Sequence, residues 1–312
     1  MHRIIAGGTG LIGTELIHHW LAQGHQVTII SRSTEKVRKI FQNRVNAVDI
    51  DSLKPELFHQ ADVVVNLAGA GIADKRWSEA RKQEILNSRI HVTQKIVKLL
   101  TMLGQNAPPL FNASAIGIYG LQQQVSNGLP IKLDENTPID WNSAPDFLSH
   151  IGHEWEKATQ PATASGIRVV NLRFGVVLSK KGGALPKIVQ PFYFFLGGPI
   201  GTGQQPFSWV AIEDVVRAID FLLPKKEMTG PVNIVAPGCT TQQELARAIG
   251  KIIGKPCVVP TPGFALKLVF GEMADELLLE GQHVYPTRLL ESGFTFSYPE
   301  IESALRHELS PI

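Results

Sequence analysis

Short apolar runs alternate with amphipathic stretches from the N-terminus to about Leu172. Residues 2–6, His-Arg-Ile-Ile-Ala, read as a buried strand, and a helical pattern runs from the glycine turn at 7–13 to Gly24. Val27–Ile30 is an apolar run of the kind that a parallel sheet covers on both faces. A polar helix is expected over Thr34–Gln42, a third strand over Val45–Val48 and a fourth over Asp62–Asn66. A long helix should run from about Ser78 to Leu103, followed by a strand over Leu110–Ala113, a helix over Phe147–Thr163 and a strand over Arg168–Leu172. Strands separated by helices need crossover connections. The expected class is therefore α/β, a doubly wound parallel sheet with helices on both faces. Such sheets bind ligands off the C-terminal ends of their strands, where the strand order reverses.

After Arg173 the texture changes. Gly182-Gly183, Gly197-Gly198-Pro199, Gly201 and Gly203 mark irregular loops. Thr241–Ile253 reads as a helix capped by Thr240 or Thr241, and a last helix is expected near Glu300–Leu309. The expected organisation is a nucleotide-binding domain over residues 1–235, with loop insertions at 175–210, and a small lobe over 236–312 that covers the substrate side.

The chemistry is concentrated in Gly7-Gly8-Thr9-Gly10-Leu11-Ile12-Gly13. Strand, glycine turn and helix form the arrangement that holds a dinucleotide pyrophosphate on a helix N-terminus. Gly7 permits the sharp turn, Gly10 permits close approach of the phosphates, and Gly13 permits close helix packing. The second strand ends in Ser31-Arg32-Ser33 and carries no acidic residue there. A guanidinium can pair with a ribose 2′-phosphate, so NADP(H) is the expected cofactor, read by Ser31 and Arg32. The other reading of Arg32 is a solvated surface arginine. Asp49, after the third strand, suits the adenine edge. Leu67, Ala68 and Gly69, after the fourth, would bring backbone close to the second ribose and the phosphates, or simply form a tight strand exit.

Composition narrows the field. The chain has 312 residues, a formal charge of +2 and 44% hydrophobic residues, with no long basic run. Nucleic-acid binding by electrostatics is not expected. No stretch reaches the roughly 18 uninterrupted apolar residues of a membrane span, so no membrane partner is expected. Cys239 and Cys257 lack metal-ligand spacing, and no metal site is expected. The N-terminus reads as the first strand, so no cleavable signal is expected. A reducing cytoplasm is the simplest home, with an organelle matrix as the alternative.

The GxxGxxG spacing resembles the short-chain dehydrogenase/reductase superfamily in its extended and atypical branches. That resemblance implies a Tyr-x-x-x-Lys pair on the helix before the sixth strand, with the tyrosine moving a proton as hydride moves. The helix here reads Phe-Leu-Ser-His-Ile-Gly-His-Glu-Trp-Glu over 147–156, without tyrosine or lysine. Leu148 and Gly152 fall where the pair should stand. Ser114 lies within one residue of the superfamily serine, and Tyr119 follows it. These two are the catalytic candidates, although Tyr119 also reads as a packed aromatic. Ser149 and His153 share i, i+4 spacing and one helix face, as substitutes for the pair or as ordinary helix residues. Arg89 occupies the place of an active-site asparagine in related enzymes. It could bind cofactor phosphate or an anionic substrate, and Glu84 could accept from ribose hydroxyls. The other reading of both is a solvated charged face that continues Lys75-Arg76-Trp77.

Further segments narrow the likeness. Arg76-Trp77 with Ser88-Arg89, Trp155-Glu156, Arg173-Phe-Gly-Val-Val-Leu178, Gly197-Gly-Pro-Ile-Gly-Thr-Gly203, Ser208-Trp209, Glu213-Asp214 and Glu280-Gly-Gln282 span essentially the whole chain. They resemble the epimerase-family proteins of the atypical short-chain dehydrogenases, known as nucleoside-diphosphate-sugar epimerases. The resemblance implies an extended Rossmann fold and NADP(H), with Val176 and Val177 offering backbone to the nicotinamide. A histidine expected before Glu213-Asp214 is replaced by Ala211. Asp214 is expected to serve in the first turn of a helix more than as an acid, and Trp209 and Phe207 to wall the cleft or fill the core. The expected partner is a small molecule, a nucleotide sugar or another hydroxy or carbonyl compound, acted on by an epimerase or oxidoreductase as monomer or homodimer. The competing expectation is a non-catalytic NADPH sensor, favoured by the missing pair.

Overall fold

The alternation read from the sequence is present in the computed structural model, which describes residues 1–122 and 130–310. The first half comprises β1 (His2–Ala6), α1 (Leu11–Ala22), β2 (Gln26–Ser31), α2 (Thr34–Phe41), β3 (Asn46–Asp49), β4 (Val63–Asn66), α3 (Glu79–Leu103), β5 (Leu110–Ala115), α4 (Phe147–Lys157), α5 (Gln160–Ala164) and β6 (Val169–Phe174). The second half adds β7 (Val176–Ser179), β8 (Gly182–Gly183), α6 (Ala184–Tyr193), β9 (Pro206–Phe207), β10 (Trp209–Ala211), α7 (Ile212–Leu222), β11 (Gly230–Ile234), β12 (Thr240–Thr241), α8 (Gln242–Ile253), α9 (Gly263–Phe270), α10 (Glu272–Ala274), α11 (Thr287–Glu291) and α12 (Ile301–Leu309).

Seven strands form one sheet in the order β11-β6-β5-β4-β1-β2-β3. Every pairing in it is parallel. The order reverses between β1 and β4, which flank the switch point. The apolar runs are continuous because both faces are covered. Ile5, Ile29, Val65, Phe111, Val170 and Leu172 pack with Leu16, Ile17 and Trp20 of α1 and with Val215 and Ile219 of α7. Their neighbours Ile4, Ile30, Val64, Leu110 and Val169 pack on Ile96, Val97 and Leu100 of α3. Each such fully buried side chain contributes about 1.5–3 kcal/mol.

The single helix expected over 147–163 is two helices, α4 and α5. Pro161 has no N–H to continue the ladder, so the chain restarts at Gln160 with proline in the first turn. The stretch read as loops after Arg173 also contains regular structure. β7, β8 and β10 make a small sheet, with β10 parallel and β8 antiparallel to β7. α6 hides in the sequence behind its prolines: Pro186 falls in its first turn, where the missing N–H costs nothing, and Pro191 near its end. α6, β7 and β10 share a third core with α8 and α12, built on Leu185, Phe192, Trp209, Leu245, Ile249 and Leu305. Trp209 is thus fully buried core, with its indole N–H on the Gly238 carbonyl. α8 starts in a reciprocal capping box between Thr241 and Glu244.

Candidate dinucleotide-binding site

At the switch point the chain leaves β1, turns through Gly7 and enters α1 with Gly10 as its N-cap. Gly10 provides no side-chain cap, so the first N–H groups of α1 face the cleft without a competing acceptor. Gly7 has φ +77°, and a Cβ there would fall 2.5 Å from the Leu67 carbonyl oxygen. A Cβ on Gly13 would fall 2.5 Å from the Gly7 carbonyl oxygen. The turn is therefore a cradle that side chains would close. Gly7, Gly10, Leu11, Ile12, Gly13, Leu67, Val177, Gly183 and Ala184 line a cleft of about 270 Å³. Thr9 stands half-buried in the turn. Gly183 and Ala184, at the start of α6, were not singled out as site residues in the sequence. The Gly182-Gly183-Ala184 run was their signal, but only the fold of residues 176–184 onto Leu11 brings them to the cleft.

At the end of β2, the Ser31 hydroxyl donates to the Ser33 carbonyl and accepts from the Ser33 N–H, while the Ser33 hydroxyl caps α2 through the Lys36 N–H. This fixes the turn and leaves the Arg32 side chain exposed. Asp49 caps the short turn after β3, accepting from the Asp51 N–H at 2.8 Å.

The loop after β4 is stapled to α3. The Ala68 N–H donates to Asn66 and the Ala70 N–H to Ser88. Arg89 donates to the carbonyls of Ala70 and Ile85 and stacks 5.0 Å from the Trp155 ring. Gly69 sits directly on this guanidinium, since a Cβ there would be 3.1 Å from Arg89 Cζ. Arg81 donates to the Gly71 carbonyl and to Glu84 at 2.7 Å. Glu84 is thereby held below the usual carboxylate range by that bond and that charge. Burial, with Arg81 nearby, brings Arg89 down to about 10. Its Nε is buried without a partner. Arg89 is thus a half-buried clamp on the loop.

Ser114 and Tyr119 meet in a different place. Ser114 shares a strand face with Leu110 and Asn112, toward α3 and α4, and its hydroxyl donates to Glu156 at 2.8 Å. Glu156 also accepts two bonds from Arg173, at 2.8 and 2.9 Å, and both side chains are buried. Arg173 donates in turn to the Tyr119 oxygen at 2.9 Å, and Tyr119 donates to Asn233 at 3.0 Å. Glu156 more than offsets the burial that works against charge on Arg173 and holds its pKa up. Burial pushes the Tyr119 phenol up, against the opposing pull of Arg173. Neither Ser114 nor Tyr119 is among the residues that line the cleft at the glycine turn. Arg173, Glu156 and Asn233 come from β6, α4 and β11, so no local sequence pattern marks them as a set.

The positions of the absent Tyr-x-x-x-Lys pair are filled by packing. A Cβ on Gly152 would fall 2.7 Å from Ile118 Cβ, and one on Gly117 would fall 2.9 Å from Leu148 Cβ. α4 therefore lies directly on the one-turn helix at Ile116–Tyr119. Ser149 completes a capping box with Asp146. His153 is buried beside Trp141, its pKa lowered by burial, with Nε2 unpartnered. Asp214 lies in the first turn of α7, fully buried, and accepts from the N–H groups of Ser297 and Tyr298.

An open parallel sheet with a glycine cradle at its switch point defines a dinucleotide-binding protein. Residues 3–235 match the model of the NAD dependent epimerase/dehydratase family, and 261–308 match a domain of unknown function, DUF1731. The chain belongs to the NAD dependent epimerase/dehydratase family. It is 36% identical over 305 residues to the epimerase family protein YfhF of Bacillus subtilis, covering 98% of this chain and 97% of that protein. It is 34% identical over 308 residues to the human epimerase family protein SDR39U1, covering 98% and 99%. The crystal structure of human SDR39U1 (isoform2) with NADPH superposes with a TM-score of 0.87 at 33% identity, covering 100% of both chains. A UDP-glucuronic acid 4-epimerase from Bacillus cereus in complex with NAD, at 16% identity and a TM-score of 0.75, shares the fold. Among the described residues, no helix is long and apolar enough to cross a membrane, and no group of three or more His, Cys, Asp or Glu is placed to hold a metal ion.

Proposed function

We propose that this chain binds NADP(H) across the switch point and belongs functionally with the epimerases and oxidoreductases that use it on a small hydroxy or carbonyl compound, a nucleotide sugar being the first class to try. The observation that carries this is the cradle at Gly7–Gly13, where added Cβ atoms would close a space next to uncapped N–H groups. The start of α1 would hold the pyrophosphate. The exposed Arg32, at the end of β2, would pair with the 2′-phosphate, with Ser31 fixing the turn and Asp49 near the adenine. Leu67, Ala68 and Gly69 would pass close to the ribose and phosphates, and the unpaired charge of Arg89 beneath Gly69 favours an anion there. Glu84 is committed to Arg81. The human relative crystallised with NADPH supports the cofactor. Free Cys239 and Cys257 suit a reducing cytoplasm.

The bound nicotinamide supplies hydride transfer. We assign the proton step to Tyr119, whose oxygen accepts from Arg173 and whose proton rests on Asn233. Ser114 acts one bond further back, orienting Glu156 and through it Arg173. The second reading, a non-catalytic NADPH-binding sensor, is favoured by the close contact of Gly152 with Ile118, which fills the place of the superfamily lysine. Calorimetric titration with NADPH, NADP⁺, NADH and NAD⁺ tests the cofactor. Equal or absent binding of all four overturns both readings. Nicotinamide fluorescence against nucleotide sugars and small carbonyl compounds then separates them. Turnover that is lost in Tyr119→Phe supports the enzyme, and turnover unaffected by that change removes Tyr119 from the chemistry.

A further inference from the structure

The C-terminal part of the chain inserts one carboxylate into the nucleotide-binding part. Glu276 stands in a π-helical turn at Asp275–Leu279 and is buried. Its two oxygens accept from the first N–H groups of α4, Phe147 at 3.2 Å and Leu148 at 2.9 Å. These donors have no partner within their own helix. The N-cap residue Asp146 is occupied elsewhere, accepting from Ser149 and Leu121. The start of α4 is thus completed by a residue about 130 positions away in sequence (128 and 129 for the two bonds).

Asp275 and Glu280 stand in the same segment as Glu276, and Glu280 is itself pushed up by burial and by the charge of Asp275. Asp146 of α4 and Glu272 of α10 face it with like charge. Lys82 of α3 is committed to Glu272 and Glu79. Lys267 of α9 is committed to Asp275. No cation pairs with Glu276 among the described residues. On the same side, Gly271 lies against Arg76, with a virtual Cβ 3.3 Å from its Nη2. The contacts of Glu276, Glu272 and Gly271 fasten residues 271–276 onto α3, α4 and the loop before α3.

We propose that Glu276 is a proton-linked latch, so that residues 271–280 release from α4 as the medium becomes more alkaline. The direction follows from the site. Burial first, then the charges of Asp146 and Glu272, push Glu276 up to about 7, against the pull of two N–H donors. Released into water, the carboxyl returns to the ordinary carboxylate range. The closed form therefore holds its proton more tightly than the open form, and opening releases it. Raising the pH favours opening from the ordinary carboxylate range up to about 7, beyond which both forms are ionised and the effect saturates. The proposal is independent of any turnover in the cleft.

Hydrogen exchange of residues 271–280 in the full chain, corrected for the intrinsic pH dependence of exchange, measures the opening. In the wild type the opening constant should rise about thirtyfold between about pH 5.5 and about pH 8.5. Glu276→Gln keeps the shape and an acceptor but cannot ionise, so its opening constant should lose most of the rise with pH and keep only what Glu280 contributes. A flat wild type, or the same rise in Glu276→Gln, overturns the latch. If Glu276→Gln does not fold, carboxyl carbon-13 resonances of the wild type give the answer directly. A Glu276 midpoint near 7, moved lower in Glu272→Gln, supports the latch, and a midpoint in the ordinary carboxylate range rejects it.

Discussion

The glycine turn after β1 and the turn after β5 lie off the same edge of the sheet and are built to opposite ends. At the first, the residue that could cap α1 is Gly10, and the helix N–H groups are left toward a cleft. At the second, Ser114, Tyr119, Arg173, Glu156 and Asn233 satisfy one another, and α4 presses on Ile116–Tyr119 through Gly152 and Gly117. Glycine serves both: an added Cβ would close the cleft at the first turn, and at the second it would meet side chains already packed together. The glycine-turn cleft and the Ser114–Tyr119 network are therefore built by different elements of the fold.

Arg173→Met should break the comparison hardest. It strands the buried Glu156 carboxylate and should cost about 3–5 kcal/mol in denaturant unfolding, while the folded fraction still binds NADPH. The pair Gly13→Ala and Gly152→Ala sharpens it. Each adds one methyl against a close neighbour and should cost about 1–3 kcal/mol. Only Gly13→Ala should also abolish NADPH binding by calorimetry; equal effects of the two on binding would refute the division. Arg32→Ala should leave the melting temperature unchanged and weaken NADPH about tenfold to a hundredfold with NADH unaffected. Loss of both nucleotides alike would remove Arg32 as the reader of the phosphate. Thr241→Ala, at the N-cap of α8 and outside the cleft lining, should lower stability by about 1 kcal/mol through its capping box and leave nucleotide binding untouched.

The apolar runs at Ile4-Ile5, Val27–Ile30 and Val63–Val65 determined the sheet, because neighbours along a strand face opposite layers and both layers are dry. The glycine spacing and Arg32 after β2 made the candidate nucleotide site legible, because strand, turn and helix are consecutive and their geometry is local. Pro161 could have been read as a helix break, and Pro186 as a first-turn residue, from local rules alone.

What the sequence left open was decided by contacts between distant segments. Ser114 and Tyr119 stand in sequence where superfamily chemistry would be, yet their surroundings depend on Glu156, Arg173 and Asn233, which three other elements deliver. Arg89 reads from the sequence either as a binder of phosphate or substrate or as a solvated helix charge, and it is half-buried, with Gly69 against its guanidinium and the Trp155 ring 5.0 Å away. Glu276 is one more acid in an acidic stretch until the fold sets it on the N-terminus of α4. Periodicity reports which face of an element is dry and which local turns are possible. Hydrogen-bond partners and the charge around a buried group are set by tertiary neighbours, and no local pattern encodes them.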